Sequence, residues 1–428
     1  MADAIELLNS PLTLPCGAVL PNRVAKAAMT EGLAPGGVPG EALIRLYGAW
    51  AAGGCGMMLT GNVLVDRDNL ERPGNVVIDS EPDAALRAAL SAWSSAAKAG
   101  GAALWMQLSH AGRQTPIRVN KHPKAPSAVA LPLPGKMWGV PVALTEPEIE
   151  VLIASFARAA RVARETGFDG VQVHAAHGYL ISQFLNPRAN VRTDAWGGSL
   201  ENRARFLMET VKATRAAVGP DFAVSVKLNS ADFQKGGFDF EDSLTVAGWL
   251  KDAGVDLLEV SGGTYEQPRM VDTDGLKAPD QPKAASTRAR EAYFLDFARG
   301  MLKAKAPPLM VTGGFRSVAS MAEALAEGVS VIGVGRPLCA DADATSGLLA
   351  GQLAQLDRWE DRLRVGPGLF GPASPAPLLK ALNALAVQAW YYQQLRHISA
   401  GREPKLTLGA FAAYIAEHRD DAKMAKAG

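Results

Sequence analysis

His174, His177 and Tyr179 fall together in the segment VQVHAAHGYLISQFLNPRANVRTDAWGGSLENRARF, which runs from 171 to 206. Its first residues read as an apolar strand, and the remainder reads as a polar loop leading to a helix start. A strand end therefore carries two imidazoles and a phenol. His174 can project from the strand, and the Ala-Ala-His-Gly turn can bring His177 round beside it. Two imidazole donors aimed at one point would polarise a carbonyl. The phenol, with an ordinary pKa of about 10, could supply a proton to a developing carbanion.

Closely spaced histidines also suit metal ligation, and His110 of QLSHAGR could complete such a site. No third ligand is evident near the pair, so carbonyl binding is preferred and no metal is expected. His122, His397 and His418 read as surface or packing residues. Asn186, Arg188, Asp194 and the Gly197-Gly198-Ser199 turn read as loop-shaping, with Ser199 capping the next helix.

Such a cluster needs a scaffold, and the chain shows one. Short Val/Ala/Leu/Met-rich runs near 24–29, 56–65, 102–108, 169–175, 222–228, 256–260, 308–312 and 329–334 read as eight strands. Helical segments near 41–53, 82–99, 146–166, 201–217, 242–253, 290–305 and 317–327 lie between them, with a capping box from Thr145 to Glu148 and Gly167 as a C-terminal cap. Eight like strands with alternating helices predict an α/β TIM (β/α)8 barrel, and the strand count argues against a doubly wound sheet. Further apolar helices near 377–397 and 406–420 form a C-terminal helical extension, either packed on the barrel or serving as a contact in a homo-oligomer.

In such barrels the chemistry sits at the C-terminal strand ends. Those ends hold Met29 and Thr30, Gly61 and Asn62, Gln107 and His110, His174 and His177, Lys227 and Asn229, Ser261 to Gly263, Gly313 and Gly314, and Gly335 and Arg336. The glycine pairs after strands seven and eight suit a phosphate, because glycine lets backbone N–H groups approach and Arg336 adds a bidentate donor. Each pair alone also reads as a tight turn. Lys227 in FAVSVKL needs an anionic partner or water, and Gln107 ends AALWMQL. Both could simply be solvated at the rim, but a flavin fits both: the Gln107 amide can pair with the donor–acceptor edge of its pyrimidine ring, while Lys227 stabilises charge on the reduced ring. The long loops 111–144 and 262–289 are expected to wall a substrate pocket, with His110, Trp138 and Tyr265 among its residues.

Bulk properties narrow the partners. The 428 residues are 48% hydrophobic with a net charge of +1, which favours a small-molecule ligand over nucleic acid or an anionic membrane. The start MADAIELLNSPLTL lacks a basic, then apolar, leader, and the chain is expected to be cytoplasmic. Three scattered cysteines, Cys16, Cys55 and Cys339, exclude an all-cysteine iron–sulfur cluster within this sequence. No GxGxxG opens a helix after a strand, so any nicotinamide must bind in the barrel mouth.

The motif HxxHGYLxxQFLxPxxNxRxDxxGGSxExRxRF, from His174 to Phe206, resembles that of the old yellow enzyme family of FMN-dependent NAD(P)H ene-reductases. PNRVAKAAMTEG at 21–32, QLSHAGR at 107–113, VKLN at 226–229, VTGGFRS and GVGRPL extend the likeness over about 5–340. The resemblance implies an FMN-binding barrel over 1–340, with 341–428 supplying the last barrel helix and the extension packed on it. It implies that Ala28, Met29 and Thr30 lie beside the flavin, that Asn62, Gln107 and Lys227 contact the ring, and that Gly313, Gly314, Gly335 and Arg336 hold the phosphate. His174 and His177 would bind the substrate oxygen and Tyr179 would be the proton donor. Many relatives have Ala or Gly near position 62, Arg at 227 and Pro at 28, so this sequence departs from them at ring contacts.

The implied reaction is ping-pong hydride transfer from NADH or NADPH to the activated C=C bond of an enone-type substrate. Three other readings remain open on the residues: an FMN-dependent dehydrogenase or demethylase of a small amine, a flavin-free TIM-barrel lyase or aldolase using Lys227 as a Schiff base, and a non-catalytic flavin-binding or assembly protein.

Overall fold

Alternating strands and helices can bury both faces of a parallel sheet only by covering or closing it, and this chain does both. The computed structural model describes residues 1–133, 137–261, 296–304 and 306–427. Eight parallel strands close on themselves: β1 Val24–Lys26, β2 Met57–Leu64, β3 Ala103–Ser109, β4 Gly170–Ala175, β5 Ala223–Asn229, β6 Leu257–Ser261, β7 Leu309–Thr312 and β8 Val331–Val334. Each pairs with the next, and β8 pairs back to β1. The expected (β/α)8 architecture is the one the chain adopts.

Helices α1 Glu41–Ala52, α2 Ala84–Lys98, α3 Glu146–Glu165, α4 Leu200–Val218, α5 Phe240–Asp252 and α6 Val318–Ala326 clothe the barrel. Residues 296–303 are also helical. Local sequence signals account for several of these boundaries. Thr145 and Glu148 close a reciprocal capping box on α3. Gly167 comes after that helix with φ +89°, a conformation that costs glycine little. Ser199 accepts the Asn202 N–H as the N-cap of α4.

The expected first strand extends to residue 29, but β1 ends at Lys26. Ala27 donates a last bond to the Val334 carbonyl, and the chain then leaves the sheet, so Ala28, Met29 and Thr30 form a half-buried rim. Their neighbour β2 carries a register shift between Leu59 and Asn62. There a Cβ on Gly61 would lie 2.4 Å from the Met29 carbonyl oxygen, so only glycine permits this close approach.

Successive strand residues face opposite sides. Leu104, Met106, Val171, Val173, Val224, Val226 and Leu258 belong to the core shared with the helices, whereas Ala25, Met57, Leu59, Trp105, Ala223, Leu257, Met310 and Val331 fill the barrel interior with Leu14 and Leu20. Within the barrel the inward series changes from apolar to polar along each strand: Trp105 to Gln107 on β3, Gly170 to Gln172 and His174 on β4, Ala223 to Ser225 and Lys227 on β5, and Leu257 to Glu259 on β6. A greasy plug thus underlies a polar mouth.

Helices α7 Pro377–Ser399 and α8 Ala410–Ala427 form the C-terminal extension. The guanidinium of Arg45 on α1 donates to the Ser399 carbonyl at 2.9 Å. Buried Arg72, in the loop after β2, pairs with Glu417 and Asp421 of α8 and stacks over the Tyr392 ring at 4.3 Å. Among the described residues no helix is long and apolar enough to cross a membrane.

Candidate active site

The end of β4 and the turn behind it assemble three rings. His174 lies edge-on to His177 and to Tyr179, with ring centroids 4.9 Å apart in each case, and His177 and Tyr179 are 6.4 Å apart. His177 takes a left-handed φ of +63°, rare for a residue with a Cβ. The Asn229 side chain holds that turn by accepting the His177 N–H at 3.1 Å, and Gln114 donates to the His177 carbonyl at 3.0 Å. Strained backbone of this kind costs of order 1–3 kcal/mol and persists where its surroundings over-determine it.

Their surroundings favour the neutral form of both imidazoles. Burial, then the Lys227 charge, holds His174 well below its ordinary value, and the same causes with His174 added hold His177 there. Nδ1 of His174 accepts the Ala176 N–H at 3.2 Å, so its proton must sit on Nε2. Nε2 of His177 lies 2.6 Å from the Ser261 hydroxyl at the end of β6. When that hydroxyl donates, the His177 proton sits on Nδ1, and the pair offers two neutral N–H donors.

Level with His174 in the β4–β5 register, Lys227 is paired with Glu259, a residue that sequence reasoning does not single out. Its Nζ lies 3.0 Å from Glu259 Oε1, both side chains being almost fully buried and adjacent in the β5–β6 register. The available signal is an acid in the middle of the apolar run LLEVS. A Schiff-base nucleophile needs a free amine, and this ammonium is engaged by a carboxylate. The amide of Gln107 donates to Gln172 Oε1 at 2.7 Å, and Gln172 donates onward to Glu259 Oε2 at 2.9 Å and to Ser225 at 3.1 Å.

Beside Gln107 in the β2–β3 register, Asn62 donates to Thr30 Oγ1 at 3.2 Å, while among the described residues its own buried Oδ1 has no hydrogen-bond partner. At the ends of β7 and β8, Gly313 and Gly314 take φ of +121° and +86°, which only glycine adopts readily. Gly335 and Arg336 are half-buried there. Arg316 of the same region is buried and donates to Glu360 at 2.8 Å, and Arg336 lies 3.7 Å from that carboxylate. Burial pushes the Glu360 carboxyl up, but Arg336 and Arg316 outweigh it and bring it down to about 2. Tyr391 of α7 donates to its other oxygen at 2.6 Å. Neither Arg316 nor Glu360 stands out as a site residue in the sequence; Glu360 arrives there only through the fold of the extension.

Of the other expected pocket residues, His110 follows β3, and its carbonyl accepts the Leu180 N–H at 3.0 Å, next to Tyr179. The His110 ring is fully buried, with Nδ1 accepting the Gly112 N–H at 3.0 Å and Nε2 lying 3.3 Å from Asp66. Burial raises the Asp66 carboxyl, yet His110 and the Asp68 N–H draw it down to about 2. Trp138 lines a cleft within the β3 loop together with Ile117, His122 and Leu131. Tyr265 lies outside the described residues. Among the described residues no group of three or more His, Cys, Asp or Glu gathers as a metal site.

These features suit FMN. Paired positive-φ glycines beside two arginines offer a phosphate cradle, and the unpartnered Asn62 oxygen and the Gln107 amide offer polar contacts to a ring edge.

The comparisons with known proteins point to a family of flavin enzymes. The family model described as NADH:flavin oxidoreductase / NADH oxidase matches residues 8–353. The chain is 40% identical over 355 residues to the NADH-dependent flavin oxidoreductase iliE of Hypocrea jecorina (strain QM6a), covering 76% of this chain and 85% of that protein. It is likewise 40% identical over 348 residues to the iliE protein of Neonectria sp. (strain DH2), covering 77% of this chain but 45% of that longer relative. Among solved structures, the old yellow enzyme homologue from Zymomonas mobilis superposes with a TM-score of 0.68 at 27% identity, over 84% of this chain and 97% of that one.

Proposed function

Since the chain belongs to the NADH:flavin oxidoreductase / NADH oxidase family, an FMN-dependent oxidoreductase family, we propose that it reduces the activated C=C bond of α,β-unsaturated carbonyl compounds. Ala28, Met29, Thr30, Asn62, Gln107, Lys227 and the glycines and arginines of β7 and β8 would hold FMN, which when bound would supply hydride transfer between NADH or NADPH and the substrate. This sets aside the flavin-free lyase reading.

The observation that carries the proposal is the ring trio. His174 Nε2–H and His177 Nδ1–H receive the substrate oxygen, and two preorganised donors in a buried site stabilise the charge that develops on it. As N–H donors, both strengthen their hydrogen bonds as the oxygen becomes an enolate. Tyr179, against the His174 ring, supplies the proton at Cα. Ser261 meets the His177 imidazole, and Asn229 holds the backbone turn that carries it.

The test is turnover without oxygen. Purified protein loaded with FMN is mixed with NADH or NADPH and a panel of cyclic enones, maleimides, quinones and nitro compounds. Saturated ketone or imide should form in step with nicotinamide oxidation. Nicotinamide oxidation by quinones with no C=C reduction for any enone or maleimide would overturn the proposed substrate class.

A further inference from the structure

Two buried side chains of the barrel interior, Gln172 and Glu259, take no part in the proposed chemistry. They connect Gln107 with Lys227 through buried polar atoms. The chain of contacts has a direction. Glu259 turns Oε1 to the Lys227 ammonium at 3.0 Å, leaving Oε2 as an acceptor. Gln172 must therefore present its NH2 to that oxygen, since the opposite amide orientation would set two acceptors face to face. The Ser225 hydroxyl takes the second N–H of the same amide at 3.1 Å. Gln172 is then left with Oε1 toward Gln107, and Gln107 answers with its own NH2 at 2.7 Å. Gln107 retains its carbonyl oxygen and one N–H for a ligand.

We propose that Glu259 and Gln172 are positioning residues that fix the amide polarity of Gln107, so that its oxygen accepts from the N3–H of the flavin and its free N–H donates to a neighbouring flavin carbonyl. The inference rests on the FMN reading of the site and deepens it. An amide free to rotate end over end would meet the same ring edge with donor against donor half of the time. A carboxylate at the far end of the relay forbids that orientation, because a carboxylate can only accept. Burial strengthens the rule, since a mismatched pair has no water to turn to.

The experiment reads the flavin proton and not the turnover. Absorption of FMN bound to the holoenzyme is titrated into the alkaline range, where N3–H ionises. An accepting Gln107 oxygen favours the protonated form, so the native protein should hold that proton to a higher pH than free FMN does. Gln172→Met cuts the relay and leaves the Lys227–Glu259 pair whole, and Glu259→Gln replaces the pure acceptor with a group of either polarity. In both, the ionisation should move down by about one pH unit, a tenfold change in the proton equilibrium. An unchanged titration in both folded variants overturns the proposal.

A second measurement needs no variant. With 15N-labelled FMN in the native protein, the N3 proton should resonate downfield and exchange slowly, and a fast-exchanging N3 proton also overturns the proposal. A native protein that takes up no flavin from saturating FMN would instead overturn the cofactor reading on which it rests.

Discussion

Nε2 of His177 and Oγ of Ser261 lie 2.6 Å apart, joining the turn after β4 to the last residue of β6. When the hydroxyl donates, this contact places the His177 proton on Nδ1. Ser261→Ala should leave FMN affinity unchanged and lower kcat/KM for enones by about tenfold, the effect of one charge-stabilising hydrogen bond losing its orientation. Steady-state kinetics with a cyclic enone check this, and unchanged kcat/KM would show that the hydroxyl does not set the tautomer.

The buried histidines make stability depend on pH, with a definite sign. Unfolded histidines take up protons near their ordinary value of about 6.5, whereas His174 and His177 are held well below theirs by burial and the Lys227 charge. Below that value the unfolded state binds more protons, so their contribution is complete above it and is lost as pH falls toward the folded values. The urea midpoint should therefore drop between about pH 7.5 and 5.5, and less steeply in His174→Asn. Parallel profiles for the two proteins would count against buried, neutral imidazoles.

Tyr179→Phe separates hydride delivery from proton delivery. The variant keeps the ring beside His174 but loses the hydroxyl. Nicotinamide oxidation with quinones should remain near native rates while enone reduction falls by roughly 10²-fold, the usual share of a positioned proton donor. Equal losses with both acceptors would assign Tyr179 a packing role.

Gly170→Ala probes the plug beneath the site. A Cβ there would stand 2.8 Å from the Trp105 ring, and both residues are buried on adjacent strands. Neither the ring nor the sheet can give way freely, so the substitution should cost about 1–3 kcal/mol by overpacking. Equilibrium urea unfolding measures it, and a native midpoint would mean that Trp105 has room to tilt.

Glu417→Gln tests how the extension is held. Arg72 and Glu417 are buried to a similar degree, and Arg396 reaches the same carboxylate at 3.1 Å. Neutralising Glu417 leaves the buried Arg72 charge only partly compensated, by Asp421, and should destabilise the fold by about 3 kcal/mol. Loss of α8 alone, seen as faster proteolysis beyond residue 405 with an unchanged unfolding midpoint, would show that the extension is not coupled to the barrel.

The barrel is legible in the sequence because the strands obey their period and the turns announce themselves. β2 to β8 begin and end within a residue or two of their expected ranges, and β1 departs because Ala28 to Thr30 leave the sheet to form the rim. The ring trio is legible because all three residues come from one short stretch. Gln172 and Glu259 escape notice because each is a lone polar residue inside an apolar strand, and their partners lie on neighbouring strands. The contact of His110 with Asp66 is not legible in the sequence, because the two residues lie on different loops.

Residue order alone determines the eight-strand alternation, the strand ends that must share one face, and the kinds of chemistry those ends can carry. Periodicity and capping are local, so short stretches of chain settle them. Tertiary structure decided which polar groups meet. It set Lys227 against Glu259, gave the amide relay its direction, and brought Glu360 from beyond the barrel to Arg316. Those pairings depend on barrel closure and strand register, and an ion pair or a tautomer exists only once two distant segments are held within hydrogen-bond reach.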